Sequence, residues 1–214
     1  DLVIEAISER MDWKKSLFDK VAPHLAPRAI FASNTSGLSI TELSKVLPEA
    51  ARPAAPRVFL VDKPGAVQSN ILVGQVLASS SAPNRLEMDT MNNVLGGTFT
   101  SRINMNLRED KHWSYGARSS LPDALGGRPW LLSAPVQTDK TVEALREIQR
   151  EIAEFVGARP ATGEEIAKIR NRDVRALSGR YETNASVSGA IAEMITFGWP
   201  DDYVRTLKTR LEAQ

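Results

Sequence analysis

The chain has 214 residues, 42% of them hydrophobic, with 27 basic against 26 acidic side chains. That near-balance lacks the one-sided charge excess that a nucleic-acid surface or a polybasic membrane binder needs, and its longest apolar runs, such as NILVGQVLA, fall far short of the ~20 residues of a membrane span. With no cysteine, disulfides, thiolate metal sites and a cysteine nucleophile are excluded.

DLVIEAI (1–7) reads as a buried strand, short and rich in β-branched residues. Trp13, Leu17, Phe18, Val21 and Leu25 follow at helical intervals, interrupted by Pro23 and Pro27. AIFAS (29–33) is a second buried strand, and Ser39 with Glu42 forms a capping box opening the helix ITELSKVL. Two strands joined through so long a connection imply a parallel pair with a right-handed crossover. PEAARPAAPR (48–57), with four Ala and three Pro, reads as a linker or surface loop. Beyond it, RVFLVDKPG predicts a strand ended by a Pro-Gly turn, and AVQSNILVGQV another. Asn84 and Glu87 predict the start of a helix that stops at Gly96-Gly97. TSRINMNLRED predicts a further short helix, and SYGARSSL with PWLLSAPVQ a strand pair. From Thr141 the pattern is helical, with Val142, Leu145, Ile148, Ile152 and Phe155 on one face. Thr162 and Glu165 form a second capping box, and helical sequence continues to DDYVRTLKTRLEAQ. This order implies an α/β or α+β architecture.

No signal peptide is visible. The chain lacks an initiating Met and begins inside an apolar run, so a piece of a longer protein is expected, with its compartment, cytoplasmic or periplasmic, left unknown.

DLVIEAISERMDWKKSLFDKV…AIFASNTSGLSITEL (about 1–53) resembles the NAD-binding domain of 3-hydroxyacyl-CoA dehydrogenases, a βαβα half of a Rossmann unit. The resemblance places Glu9 and Lys14 where that family contacts NAD, and Ser36 where it holds substrate. The Gly-rich pyrophosphate turn should precede this segment and does not occur in the chain. The family's catalytic His should follow soon after SNTS, where this sequence reads RVFLVDKPG. Without it no general base takes the hydroxyl proton, so NAD-dependent chemistry is not expected. On the residues alone, Asn34-Thr35-Ser36 is a polar turn before a helix.

RVFLVDKPGAVQSNILVGQ, MNNVLGGTFTSRINMNLREDKHWSYGARSS and APVQTDKTVEALREI resemble the non-catalytic half of M16 zinc peptidases over 54–214. The implied fold is an α+β sandwich, a mixed sheet covered by helices. In that family one half carries H-x-x-E-H and the other an Arg and a Tyr that bind substrate. Here the only histidines are His24 and His112, so the zinc motif cannot be built, and zinc is expected on a partner. Arg108 and Tyr115 fall on the Arg/Tyr pair. A guanidinium and a phenol are oriented donors for a peptide carbonyl that gains negative charge as water attacks. From spacing alone, Arg108 pairs with Glu109 or Asp110 on a solvated turn and Tyr115 is ordinary strand packing. Gly96 and Gly97 read as turn formers, Arg102 as an ion-pair donor, Asn106 as part of the same motif, and Arg118 as a candidate cleft residue.

The expected function is a substrate-binding half of an M16-type peptidase, inactive alone. It would act on peptide with an H-x-x-E-H partner subunit or domain, or as a homodimer. The alternatives are a chimeric interaction or dimerisation module, and a residual NAD or acyl-CoA binder.

Overall fold

The computed structural model describes residues 2–26, 29–35, 37–39, 42–43 and 55–214. They cluster into two compact units, Asp1–Ala51 and Arg52–Gln214.

In the first unit β1 (Leu2–Glu5) pairs in parallel with β2 (Ile30–Ser33), Leu2 opposite Ile30 and Glu5 opposite Ser33. The crossover carries α1 (Met11–Val21) and a 3₁₀ turn at Ala22–His24, where Pro23 fits because the first turn of a helix needs no N–H from it. Phe18 is buried and meets Phe31 edge-on at 4.8 Å, fixing the helix to the strands. A buried ion pair does the same: Lys14 Nζ donates to Glu5 Oε1 at 2.7 Å and Oε2 at 2.8 Å. Burial pushes the Glu5 carboxyl up, but the bonds from Lys14 and the Ser33 hydroxyl outweigh it and hold it below its usual range. Ser39 Oγ accepts from the Glu42 N–H at 3.2 Å, as a capping box requires. The rest of that helix, and most of the linker at 48–57, lie outside the described residues.

In the second unit the sheet order is β3 (Gln68–Leu77), β5 (Arg128–Gln137), β4 (Arg118–Ser120), antiparallel throughout. β5 alternates as a half-buried strand should: Trp130, Leu132, Ala134 and Val136 are buried, and Leu131 and Ser133 face outward. The predicted strand over 57–65 does not form. Val58, Phe59, Leu60 and Val61 are 77–92% exposed, although the Pro-Gly turn after them is made as expected. There Ala66 N–H reaches Lys63 O at 3.1 Å and Gly65 takes φ 79°. β-propensity alone cannot make a strand without a neighbour to pair with.

α2 (Arg85–Asn92) starts at Asn84 as predicted, but the Asn84 side chain makes no cap bond. The helix continues in wider π geometry over Asn93–Gly97. α3 begins at Arg102–Asn104 and also widens into a π segment, Met105–Asp110. α4 (Thr141–Val156) packs Ala144 and Ile148 with the buried face of β5 and with Leu95, Ile103 and Leu107. The predicted stripe holds at Ile148, Ile152 and Phe155, which pack in or against the core, but Val142 and Leu145 are exposed and Glu151 is buried. Glu151 is inside because Asn106 Nδ2 donates to it at 2.8 Å, and to Glu147 at 2.8 Å.

Three helices complete the unit: α5 (Gly163–Arg180), α6 (Asn184–Phe197) and α7 (Tyr203–Glu212). Tyr203, Leu207 and Leu211 lie one above another on α7 and make a second core with Leu86. Both arms of the Thr162/Glu165 capping box are present. Thr183 and Ser186 make another at the start of α6.

Arg102 is the ion-pair donor expected of it, with Nε and Nη2 at 2.7 and 2.6 Å from the Glu165 carboxylate. Arg102 and the Thr162 cap hold that carboxyl at about 2, against a usual 4.5. A depressed folded-state pKa contributes stability above pH ~4.5 that is lost as pH falls towards 2. Glu165→Gln should therefore lower stability at pH 7 by about 1 kcal/mol, the pair being partly exposed. It should also flatten the acid limb between pH 5 and 2 in denaturant titrations; an unchanged acid limb would contradict this assignment.

Candidate functional site

The site grows out of the wide end of α3. A π segment spreads its side chains differently from an α turn, and such segments recur where a residue must be re-aimed. Here it ends at Lys111, whose N–H reaches Asn106 O at 3.0 Å. His112 then takes a left-handed conformation, φ 56°, uncommon outside glycine though histidine is one of the residue types enriched there. Its Nδ1–H donates to Arg108 O at 3.0 Å, which also fixes the tautomer because a carbonyl only accepts. The reversal brings Trp113 N–H back to Leu107 O at 3.0 Å.

The next residues are pinned on both sides. Ser114 bridges to Val136 of β5, and its hydroxyl donates to Pro135 O at 2.6 Å. Ala117 N–H donates to Asn104 Oδ1 at 3.0 Å. Between these anchors the Tyr115 side chain projects outward, 85% exposed. Tyr115 thus lies in the bend ahead of β4, three residues short of the strand it was expected to start.

Arg108 and Tyr115 come together. The guanidinium carbon of Arg108 lies 5.2 Å from the Tyr115 ring centroid and 4.6 Å from that of Phe99. Its Nε is 3.1 Å from Glu109 Oε1, so the solvated pairing and the clustering with Tyr115 coexist. Among the described residues no hydrogen bond engages its Nη atoms. Two aromatic rings on a guanidinium restrain it by cation–π attraction while leaving its in-plane donors open.

Phe99 and Asn104 were not legible as site residues. Asn104 is buried and joins the site's parts, its Nδ2 donating to Phe99 O at 2.6 Å while its Oδ1 accepts from Ala117. Arg118 lines a shallow apolar depression on the open face of the sheet with Leu72 and Leu131.

The remaining predicted residues divide. Lys14 is fully buried, and Ile7 O at 3.2 Å takes a further bond from its Nζ. Glu9 Oε1 accepts from the N–H of Gly37 at 2.7 Å and Leu38 at 3.2 Å, and from the Thr35 hydroxyl. Ser36 lies outside the described residues. His24 is exposed, and among the described residues no group of three His, Asp or Glu could hold a metal ion.

Residues 1–56 match the family model of the 3-hydroxyacyl-CoA dehydrogenase NAD-binding domain. Over 49 residues the chain is 47% identical to a Rickettsia felis protein named for the trifunctional enzyme of fatty acid oxidation, covering 23% of this chain and 7% of that one. Over 59 residues it is 41% identical to the 3-hydroxyadipyl-CoA dehydrogenase of Escherichia coli, covering 28% of this chain and 12% of that one. The peptidase M16 inactive domain from Pseudomonas fluorescens superposes on 87% of the chain with a TM-score of 0.64 and 18% identity. The fold is M16-like. A protease from Helicobacter pylori gives a TM-score of 0.63 at 16% identity, again over 87% of the chain. The chain spans 47% and 49% of these two solved structures, about half. Both pieces of the expected fusion, the dehydrogenase-like segment and the M16-like fold, are therefore present in one chain. No helix among the described residues is long and apolar enough to cross a membrane.

Proposed function

We propose that the chain is the substrate-binding, non-catalytic half of an M16-type peptidase, acting with a partner that supplies H-x-x-E-H. The observation that carries this reading is the Arg108–Tyr115 cluster, 5.2 Å from guanidinium to ring, on an exposed surface. Arg108 would hydrogen-bond the backbone carbonyl of an extended peptide, and Tyr115 Oη would donate to the same oxygen or its neighbour. Both donors stand on restrained backbone, so little reorganisation is needed when charge develops on that oxygen. The likeness to an inactive M16 domain supports the division of labour; the metal and the attacking water would be the partner's contribution.

The test is to assay a quenched fluorescent peptide with the isolated chain, with a purified H-x-x-E-H half, and with both. Hydrolysis only by the pair, abolished by chelator, is expected. Robust hydrolysis by the isolated, chelator-treated chain would overturn the reading.

A second reading, an interaction or dimerisation module, is favoured by the exposed Val58–Val61 run and by β3, which lies at the edge of its sheet. A concentration-dependent dimer in sizing chromatography, lost on Val58→Lys with Leu60→Lys, would support it. A residual NAD or acyl-CoA site would have to compete with Glu5 for Lys14.

A further inference from the structure

Among the described residues His112 is the one non-glycine residue with a positive φ, 56°. A left-handed residue that carries a side chain is strained, and it persists only where its surroundings over-determine it. This one stands four residues after Arg108 and three before Tyr115. Helices commonly stop at a left-handed residue, and glycine is the usual choice because it meets no steric penalty there. A stop alone needs no imidazole.

What the ring adds is a bond back to the helix it terminates. One more π turn would give the Trp113 N–H to Arg108 O. That N–H goes instead to Leu107 O at 3.0 Å, and the Ser114 N–H reaches the same oxygen at 3.3 Å. The Arg108 carbonyl accepts from His112 Nδ1–H at 3.0 Å. Beyond the reversal, His112 O accepts from Gln137 Nε2 at 3.4 Å, and the Gln137 N–H donates to Trp113 O at 2.9 Å. His112 thus joins the backbone of Arg108 to the end of β5, across the turn that sets Tyr115 against Arg108.

The Arg108 side chain touches Phe99, Tyr115 and Glu109, and none of these contacts fixes its carbonyl. Because the peptide group is planar, a tilt of that carbonyl turns the last residues of α3 with it. The 5.2 Å approach of the guanidinium to the Tyr115 ring depends on that angle.

We propose that His112 is a positioning residue for the Arg108–Tyr115 pair. Its imidazole sets the angle of the reversal, and through it the approach of guanidinium to phenol, without touching substrate. The proposal rests on reading those two side chains as donors to a peptide.

Three substitutions separate the ring from the backbone that carries it. Asn tolerates the left-handed region, and its Nδ2 stands as many bonds from Cα as the Nδ1 of His, so His112→Asn keeps both features. His112→Gly keeps the backbone freedom and loses the donor. His112→Gln moves the donor one bond further out. In the isolated full chain, NMR relaxation of the Arg108 Nε–H group reports whether the guanidinium is held. It is expected to be restrained in the wild type and in His112→Asn, and mobile in His112→Gly and His112→Gln. His112→Gly should nevertheless melt about as high as the wild type, since relief of strain offsets the lost bond. The catalytic readout is cleavage of a quenched fluorescent peptide by the pair reconstituted with an H-x-x-E-H half. There kcat should fall about tenfold for His112→Gly and His112→Gln with KM nearly unchanged, and less than about twofold for His112→Asn. A His112→Gly chain with a restrained Arg108 Nε–H and wild-type kcat would show that only the left-handed backbone matters, and would overturn the proposal. So would a folded His112→Asn chain that behaves like His112→Gly. If the wild-type pair leaves the peptide intact, the reading of Arg108 and Tyr115 as donors fails; the Nε–H relaxation still decides whether His112 holds the guanidinium.

Discussion

Arg108→Ala, in a peptidase reconstituted with an H-x-x-E-H half, is expected to lower kcat/KM by about 10²- to 10³-fold, the usual consequence of removing an oxyanion donor. Most of the loss should fall on kcat, because the donated bond strengthens as the carbonyl gains charge. Tyr115→Phe separates two roles of the phenol. It keeps the ring whose centroid lies 5.2 Å from the guanidinium and removes only the hydroxyl. A drop of about tenfold is expected if Oη donates to substrate, and none if the ring merely restrains Arg108. Phe99→Leu tests the restraint from the other side, since that ring is 4.6 Å from Arg108. It should raise KM and lower kcat modestly, because a freer guanidinium must be ordered at each turnover. An Arg108→Ala chain that still folds and still associates, with unchanged kcat/KM, would remove Arg108 from the mechanism.

The legible and illegible parts of this site differ in physical kind. Arg108 and Tyr115 were readable because their residue types suit a chemical task and the surrounding motif fixed their spacing. Phe99 was not, because an aromatic nine residues before an arginine has no periodic relation to it. Only the widened helix and the His112 reversal bring the three together. The same limit applies to the fold. β5 was readable because alternation records burial on one face. RVFLV was misread as a strand because its composition suits one while its pairing partner is a tertiary matter. On α4 the apolar stripe was readable at Ile148, Ile152 and Phe155, but the burial of Glu151 was not, because it rests on a hydrogen bond from Asn106 that hydrophobic periodicity cannot register. Arg128 gave no signal at all, since the carboxylate that pairs with it, Asp89, stands 39 positions away on another element.

Gly96→Ala is expected to destabilise the second unit by about 2–3 kcal/mol, the cost of overpacking a close contact. Gly96 is expected to act as a turn former, but its φ is not positive; among the described residues Gly65 and Gly198 are the left-handed glycines. What needs glycine is proximity. A Cβ at Gly96 would overlap Ser119 Oγ and meet Ser119 Cβ at 2.9 Å and Ser119 N at 3.2 Å. The hydroxyl could rotate only by giving up its 2.6 Å bond to Asn92 Oδ1, and the Cβ and backbone of β4 cannot rotate away. The two explanations make different predictions for the partner. If glycine served as a turn former, Gly96→Ala would cost the same whatever stands at 119. If it serves close approach, Ser119→Gly should absorb much of the loss, giving a coupling energy of about 1 kcal/mol or more in a double-mutant cycle. Additive costs in chemical denaturation would reject the packing account. The contact matters beyond stability, because Ser119 lies two residues from Ala117, the N–H that Asn104 holds while Asn104 also holds Phe99. A β4 pushed outward by one methyl group would carry Tyr115 away from Arg108, so Gly96→Ala should also lower peptidase activity in the reconstituted pair.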